Sequence, residues 1–186
     1  MSAAALPRKR FSRDEVDQMT NAGLFAGQRY ELIDGDLIDK MGQNPPHADA
    51  IQLLLDLLFE TFGPRRVRVQ APLEVAVADR KYNFPEPDLS VRADSKFAMG
   101  KRHPRGDETL LVVEVSDSTL KGDSILKRDI YARAGVPQYW VLNIKGRKLV
   151  VHRKPKQGKY TEVTTLTARE SVTIGGRTLR IAGMLP

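Results

Sequence analysis

The rhythm of apolar and polar positions changes several times along the chain, and each change predicts an element. In FSRDEVDQM, Ser12 and Glu15 form an S-x-x-E capping box, with Phe11 and Val16 placed for a hydrophobic staple, so a helix starts there and Gly23 stops it. YELIDGDLIDK reads as two extended pieces around Asp34-Gly35, a tight hairpin signal. After Pro45-Pro46, Ile51, Leu54, Leu55, Leu58 and Phe62 recur at helical spacing until Gly63-Pro64. RVRVQAPLEVAV (66–77), FPEPDLSVR (84–92) and TLLVVEVS (109–116) read as three strands, the last two separated by a polar, basic loop over 93–108. Residues 120–135 predict a helix closed by Gly135. YWVLNI, KLVVHRK and YTEVTTLT alternate as strands, and SVTIGGRTLRIAG predicts a small hairpin. This order predicts an α/β (α+β) class with a central mixed sheet flanked by helices: one domain over 11–186, behind a basic flexible tail at 1–10.

Composition narrows the class. Hydrophobic residues are 41% and charged residues 28% of 186, an ordinary globular balance. No apolar run approaches the roughly 18 residues that cross a bilayer, and the N-terminal apolar stretch is too short for a secretory signal. A cytoplasmic protein with no membrane partner is the expectation. The absence of cysteine excludes disulfides and thiolate zinc sites. Thirty Lys+Arg against twenty-three Asp+Glu leave +7, a field that attracts phosphate backbones or acidic surfaces, or that simply keeps the surface soluble. Aromatics at 6% argue against a base-stacking platform.

Glu114 interrupts the apolar run LLVVEV. A buried carboxylate needs a cation, a hydrogen-bond cage or a raised pKa. A second carboxylate, Asp88, heads into the core on the preceding strand. If those strands pair antiparallel, Arg92 falls near Thr109 and Asp88 near Val113, with Glu114 a diagonal neighbour. Carboxylates that close repel unless one protonates or a metal ion lies between them, and magnesium suits one or two carboxylates with waters. On the next helix Asp123, Lys127 and Tyr131 share a face, with Leu126 and Ile130 beside them, so Lys127 falls at the margin of the buried side. The competing readings are a structural ion pair at Glu114 and an ordinary surface pair between Asp123 and Lys127.

Pro87-Asp88 followed by Glu114-Val115-Ser116 resembles the PD-(D/E)XK nuclease superfamily. More narrowly, YELIDGDL, EPDLSV, LLVVEVSDST, the D-x-x-x-K-x-x-x-Y helix and GVPQYWVLNI together resemble the Uma family of bacterial proteins described as restriction endonucleases, across residues 28–152. The resemblance implies a restriction-endonuclease-like core and metal-dependent hydrolysis of phosphodiesters in nucleic acid, DNA first. It implies Mg2+ or Mn2+ held by Asp88, Glu114 and the backbone carbonyl of Val115, with Glu31 holding a metal-bound water. Ser116 fills the place of the superfamily's lysine, and the family's helix-borne lysine maps onto Lys127, with Asp123 and Tyr131 beside it.

Other candidates each carry two readings. His47, at a helix start, faces the same cleft or makes a structural hydrogen bond. Arg65, Arg66, Arg68, Lys101, Arg102 and Arg105 track a nucleic-acid backbone or are simply solvated. Glu74 and Glu86 read as exposed, and Trp140 as core. The alternative functions are a catalytically inactive module binding nucleic acid or a partner on the same scaffold, and a structural protein in which Lys127 neutralises Glu114. Cutting both strands would suit a two-fold homodimer.

Overall fold

Local signals set most elements of the computed structural model, which describes residues 8–40, 44–94, 101–116 and 123–186, the side chains of Asp123 and Ser124 excepted. Ser12 and Glu15 close both bonds of the capping box at the start of α1 (Arg13–Asn21). β1 (Tyr30–Ile33) and β2 (Asp36–Asp39) form the first hairpin, with Asp34 and Gly35 at φ 50° and 85°, as a tight turn requires. α2 (Pro45–Phe62) begins before its apolar stripe because Asn44 caps the His47 amide and the prolines occupy first-turn positions that need no amide. None of the described helices is long and apolar enough to cross a membrane.

The main sheet has six strands in the order β3 (Val67–Val69), β4 (Leu89–Arg92), β5 (Thr109–Ser116), β6 (Gln138–Asn143), β7 (Lys148–Lys156) and β8 (Lys159–Thr167). Neighbours are antiparallel except β5 and β6, which run parallel because the chain returns between them through α3 (Asp123–Arg133). β9 (Ser171–Ile174) and β10 (Arg177–Arg180) form the C-terminal hairpin. The mixed α/β class follows the patterning. Two expected strands are shorter, however. Only Val67–Val69 of 66–77 and Leu89–Arg92 of 84–92 join the sheet, since Pro72, Pro85 and Pro87 bring no amide to a ladder. Residues 95–100 of the expected basic loop and 120–122 of the expected helix lie outside the described residues.

Alternation along the strands gives the sheet two faces. One buries Leu89, Val91, Leu111, Val113, Trp140 and Leu142 against Leu54 and Leu58 of α2 and against the C-terminal hairpin. The other sets Val112, Tyr139 and Val141 against Tyr131 and Ala132 of α3. Asp88, Ser90 and Glu114 alternate onto this second face. Arg92 pairs with Thr109 as expected, but a bulge after Val91 skips Leu110. Leu89 therefore pairs with Val113, and Asp88 comes level with Glu114 rather than Val113.

Candidate active site

β5 delivers Glu114 to the α3 face, and α3 returns across it. Leu126 is 46% exposed and Lys127 only 8%, so the buried side of α3 is centred on the lysine rather than on the leucine beside it. Lys127 Nζ lies 2.6 Å from Glu31 Oε1 and 3.1 Å from Glu114 Oε1. The Tyr131 hydroxyl, one turn further on, donates to the same Glu114 oxygen at 2.9 Å. Glu31 is held in turn by the backbone amide of Glu86, which donates to its Oε2 at 3.1 Å. The hairpin thus contributes Glu31, the sheet Glu114, and the helix both Lys127 and Tyr131 to a buried Glu31–Lys127–Glu114–Tyr131 chain.

Asp88 stands beside this chain with its own partners. Its Oδ2 accepts the Val115 amide at 2.8 Å, while Oδ1 faces His47 Nε2 at 3.6 Å and Lys40 Nζ at 4.0 Å. His47 therefore does face the cleft, from the first turn of α2. Lys40, at the end of the first hairpin, carried no sequence signal beyond its charge. Ser116 shares the Glu114 face by alternation, and its carbonyl accepts Ile144 N on the β6 flank at 2.8 Å. Successive strand residues address opposite flanks, so Val115 turns both amide and carbonyl toward β4, whose ladder has ended at Leu89. The side chain of Asp123 lies outside the described residues.

The two acids titrate in opposite directions. Burial raises the pKa of Glu114, and Asp88 and Glu31 push it further up against the pull of Lys127, so it sits above the ordinary glutamate value. Burial also raises Asp88, but His47, Lys40 and the Val115 amide outweigh it and hold that carboxyl below the ordinary aspartate value. Lys127 is destabilised as a cation by burial, yet Glu114 and Glu31 more than compensate and raise it above an ordinary lysine. Burial and the nearby Glu114 charge keep the Tyr131 hydroxyl protonated.

Asp88, Glu114 and the Val115 carbonyl are hard oxygen donors, the chemistry magnesium prefers when waters complete its shell. Among the described residues, Lys127 and Tyr131 both donate to Oε1 of Glu114. Among the described residues no three acidic or imidazole side chains form a metal cluster by themselves. An ion here would need the backbone carbonyl. The donor set fits, with Lys127 at its edge.

The basic candidates divide. Arg66 caps the carbonyls of Arg92 and Ala93, Arg102 grips Glu108 with two bonds of 2.7 and 2.6 Å, and Arg105 pairs with Asp107. Arg65 and Lys101 are exposed and line a common cavity. Glu74 and Glu86, expected at the surface, are ion-paired to Arg13 and Arg29 with side chains 15% and 14% exposed. Trp140 is fully buried, as expected.

The Uma2 family model, described as "Putative restriction endonuclease", matches residues 13–180. A solved structure described as a "putative nuclease belonging to DUF820" from Anabaena variabilis superposes with a TM-score of 0.65 at 15% identity, covering 83% of this chain and 88% of that one. At that identity the likeness is one of fold. No curated protein matches the chain.

Proposed function

Because the chain belongs to the Uma2 family, we propose that it is a metal-dependent endonuclease that hydrolyses phosphodiester bonds, with DNA as the first substrate to consider. The observation that carries this reading is the buried Lys127 amine, shared by Glu31 and Glu114 on the sheet face that also bears Asp88. Asp88, Glu114 and the Val115 carbonyl would hold Mg2+ or Mn2+, which when bound supplies charge neutralisation and lowers the pKa of a water. Asp88 stays anionic through the neutral range because its pKa is depressed. Lys127 stays cationic, so it stabilises charge on the phosphate rather than acting as a base. Tyr131 orients Glu114 by its hydroxyl, and Glu31 anchors the lysine.

The test is cleavage of supercoiled and linear DNA by pure protein with magnesium or manganese. Metal-dependent nicking that disappears in Asp88→Asn, with the fold retained by circular dichroism, is the expected result. If neither DNA nor RNA is cut with either metal and calorimetry detects no metal binding, the enzyme reading is lost. The inactive-module reading draws on the same ion pairs, because Lys127 already neutralises two carboxylates. It would appear as salt-dependent DNA binding without turnover, unchanged by Asp88→Asn.

A further inference from the structure

A cavity of about 700 Å³ opens where β3 and β4 meet the loop before β5. Among the described residues its cations are Arg13, Arg65, Arg68, Arg92, Lys101 and Arg102, and its one carboxylate is Glu74. That carboxylate is already engaged, accepting two bonds of 3.0 Å from Arg13. Arg102 is likewise held by Glu108. Arg68 differs: among the described residues no carboxylate lies within ion-pair distance, and its contact is His103 Nδ1 at 3.2 Å. The ladder pairs Arg68 with Ser90, so Arg68 and Arg92 project from the same sheet face. Burial and the charge of Arg92 both make the Arg68 cation less favourable than usual. Burial likewise favours neutral His103.

Cations gathered at a cavity attract anions, and arginine suits phosphate in particular. The space is larger than a bare phosphate needs and falls in the range of about 300–1,000 Å³ typical of small-molecule sites. Pro64 and Val67 add an apolar wall. We propose that this cavity is a phosphate-recognition site that takes a phosphorylated nucleoside, either free or as part of a bound strand. Arg92 is four residues from Asp88 along β4, about 13 Å at 3.3 Å per residue, or roughly four phosphates of one DNA strand measured along its axis. The site goes beyond the endonuclease reading, because it requires binding and no cleavage.

Calorimetry with deoxyadenosine 5′-monophosphate, with deoxyadenosine, and with a short DNA duplex tests it. The nucleotide is expected to bind the full chain and deoxyadenosine is not. Arg68→Gln should weaken nucleotide binding about tenfold or more, Arg68→Lys should restore part of it, and Arg177→Gln, which removes a cation that does not line the cavity, should leave it unchanged. If Arg68→Gln fails to fold, Arg65→Gln, at an exposed position on the same cavity, is read in its place. Competition between nucleotide and duplex identifies a strand phosphate as the occupant; nucleotide binding without duplex binding identifies a free nucleotide. Both outcomes support the site. The proposal is overturned if neither probe binds in a manner that depends on the cavity arginine, whatever the cleavage assay shows.

Discussion

The same strands present two faces of opposite character. Under α2, alternate positions are Leu, Val and Trp, fully buried and contacting one another. Under α3, alternate positions carry Asp88, Ser90, Glu114, Tyr139 and His152, and the helix answers with Lys127 and Tyr131. The first face is held by area removed from water, where a polar atom such as the Trp140 indole nitrogen needs a hydrogen-bond partner. The second is held partly by charges that must satisfy one another, and such an arrangement adds little net stability while fixing positions closely. Stability and chemistry are thus separated by the period of two in a strand.

The largest expected effect comes from breaking the charged face. Lys127→Met leaves Glu31 and Glu114 buried without their shared cation, and urea unfolding at neutral pH should show a loss of about 3–5 kcal/mol. That loss should shrink on acidification, when Glu114, whose pKa burial raises, protonates. Next is the apolar face: Leu142, fully buried, should lose about 2–5 kcal/mol as Leu142→Ala, with no dependence on pH. The smallest effect sharpens the contrast. Glu114→Gln should cost less than about 1.5 kcal/mol, because Lys127 keeps Glu31 at 2.6 Å and Tyr131 keeps an acceptor. A cost as large as that of Lys127→Met would mean that Glu114 serves the fold.

The pH profile separates the acids. The folded pKa of Glu114 lies above its ordinary 4.5, so the stability linked to it is present below pH 4.5 and is lost as pH rises through the raised value. Asp88 and Glu108 are depressed, Glu108 to about 2, so their contribution is present above pH 3.8 and 4.5 and is lost as pH falls through the lower folded values. Unfolding of Glu114→Gln across this range should lack the decline on the alkaline side and keep the one on the acid side.

Several members of the site were legible early because their signals are local. Glu114 contradicts its own strand, Asp88 sits between Pro87 and Leu89, and Lys127 lies one turn from Tyr131. Lys40 was not, because a lysine ending a hairpin looks like any surface lysine until Asp88 Oδ1 is found 4.0 Å away. Arg68, like Arg65 and Arg66, reads from the sequence as tracking a nucleic-acid backbone or as simply solvated. Its meaning depends on Arg92 and His103, which come from distant parts of the chain. Glu74 and Glu86 misled for the same reason, since their arginine partners, Arg13 and Arg29, are remote in sequence.

Capping boxes, turn dipeptides and apolar periods are interactions among near neighbours, and the order of residues alone settled the helices, the hairpins and the misplaced carboxylate. The tertiary structure decided the alignment of Asp88 with Glu114, because the bulge after Val91 moves the ladder by one residue and no local preference announces it. It also decided that one amine serves two acids. Such pairings depend on which segments meet once the sheet has closed, and the cost of leaving a buried charge alone then selects the partner.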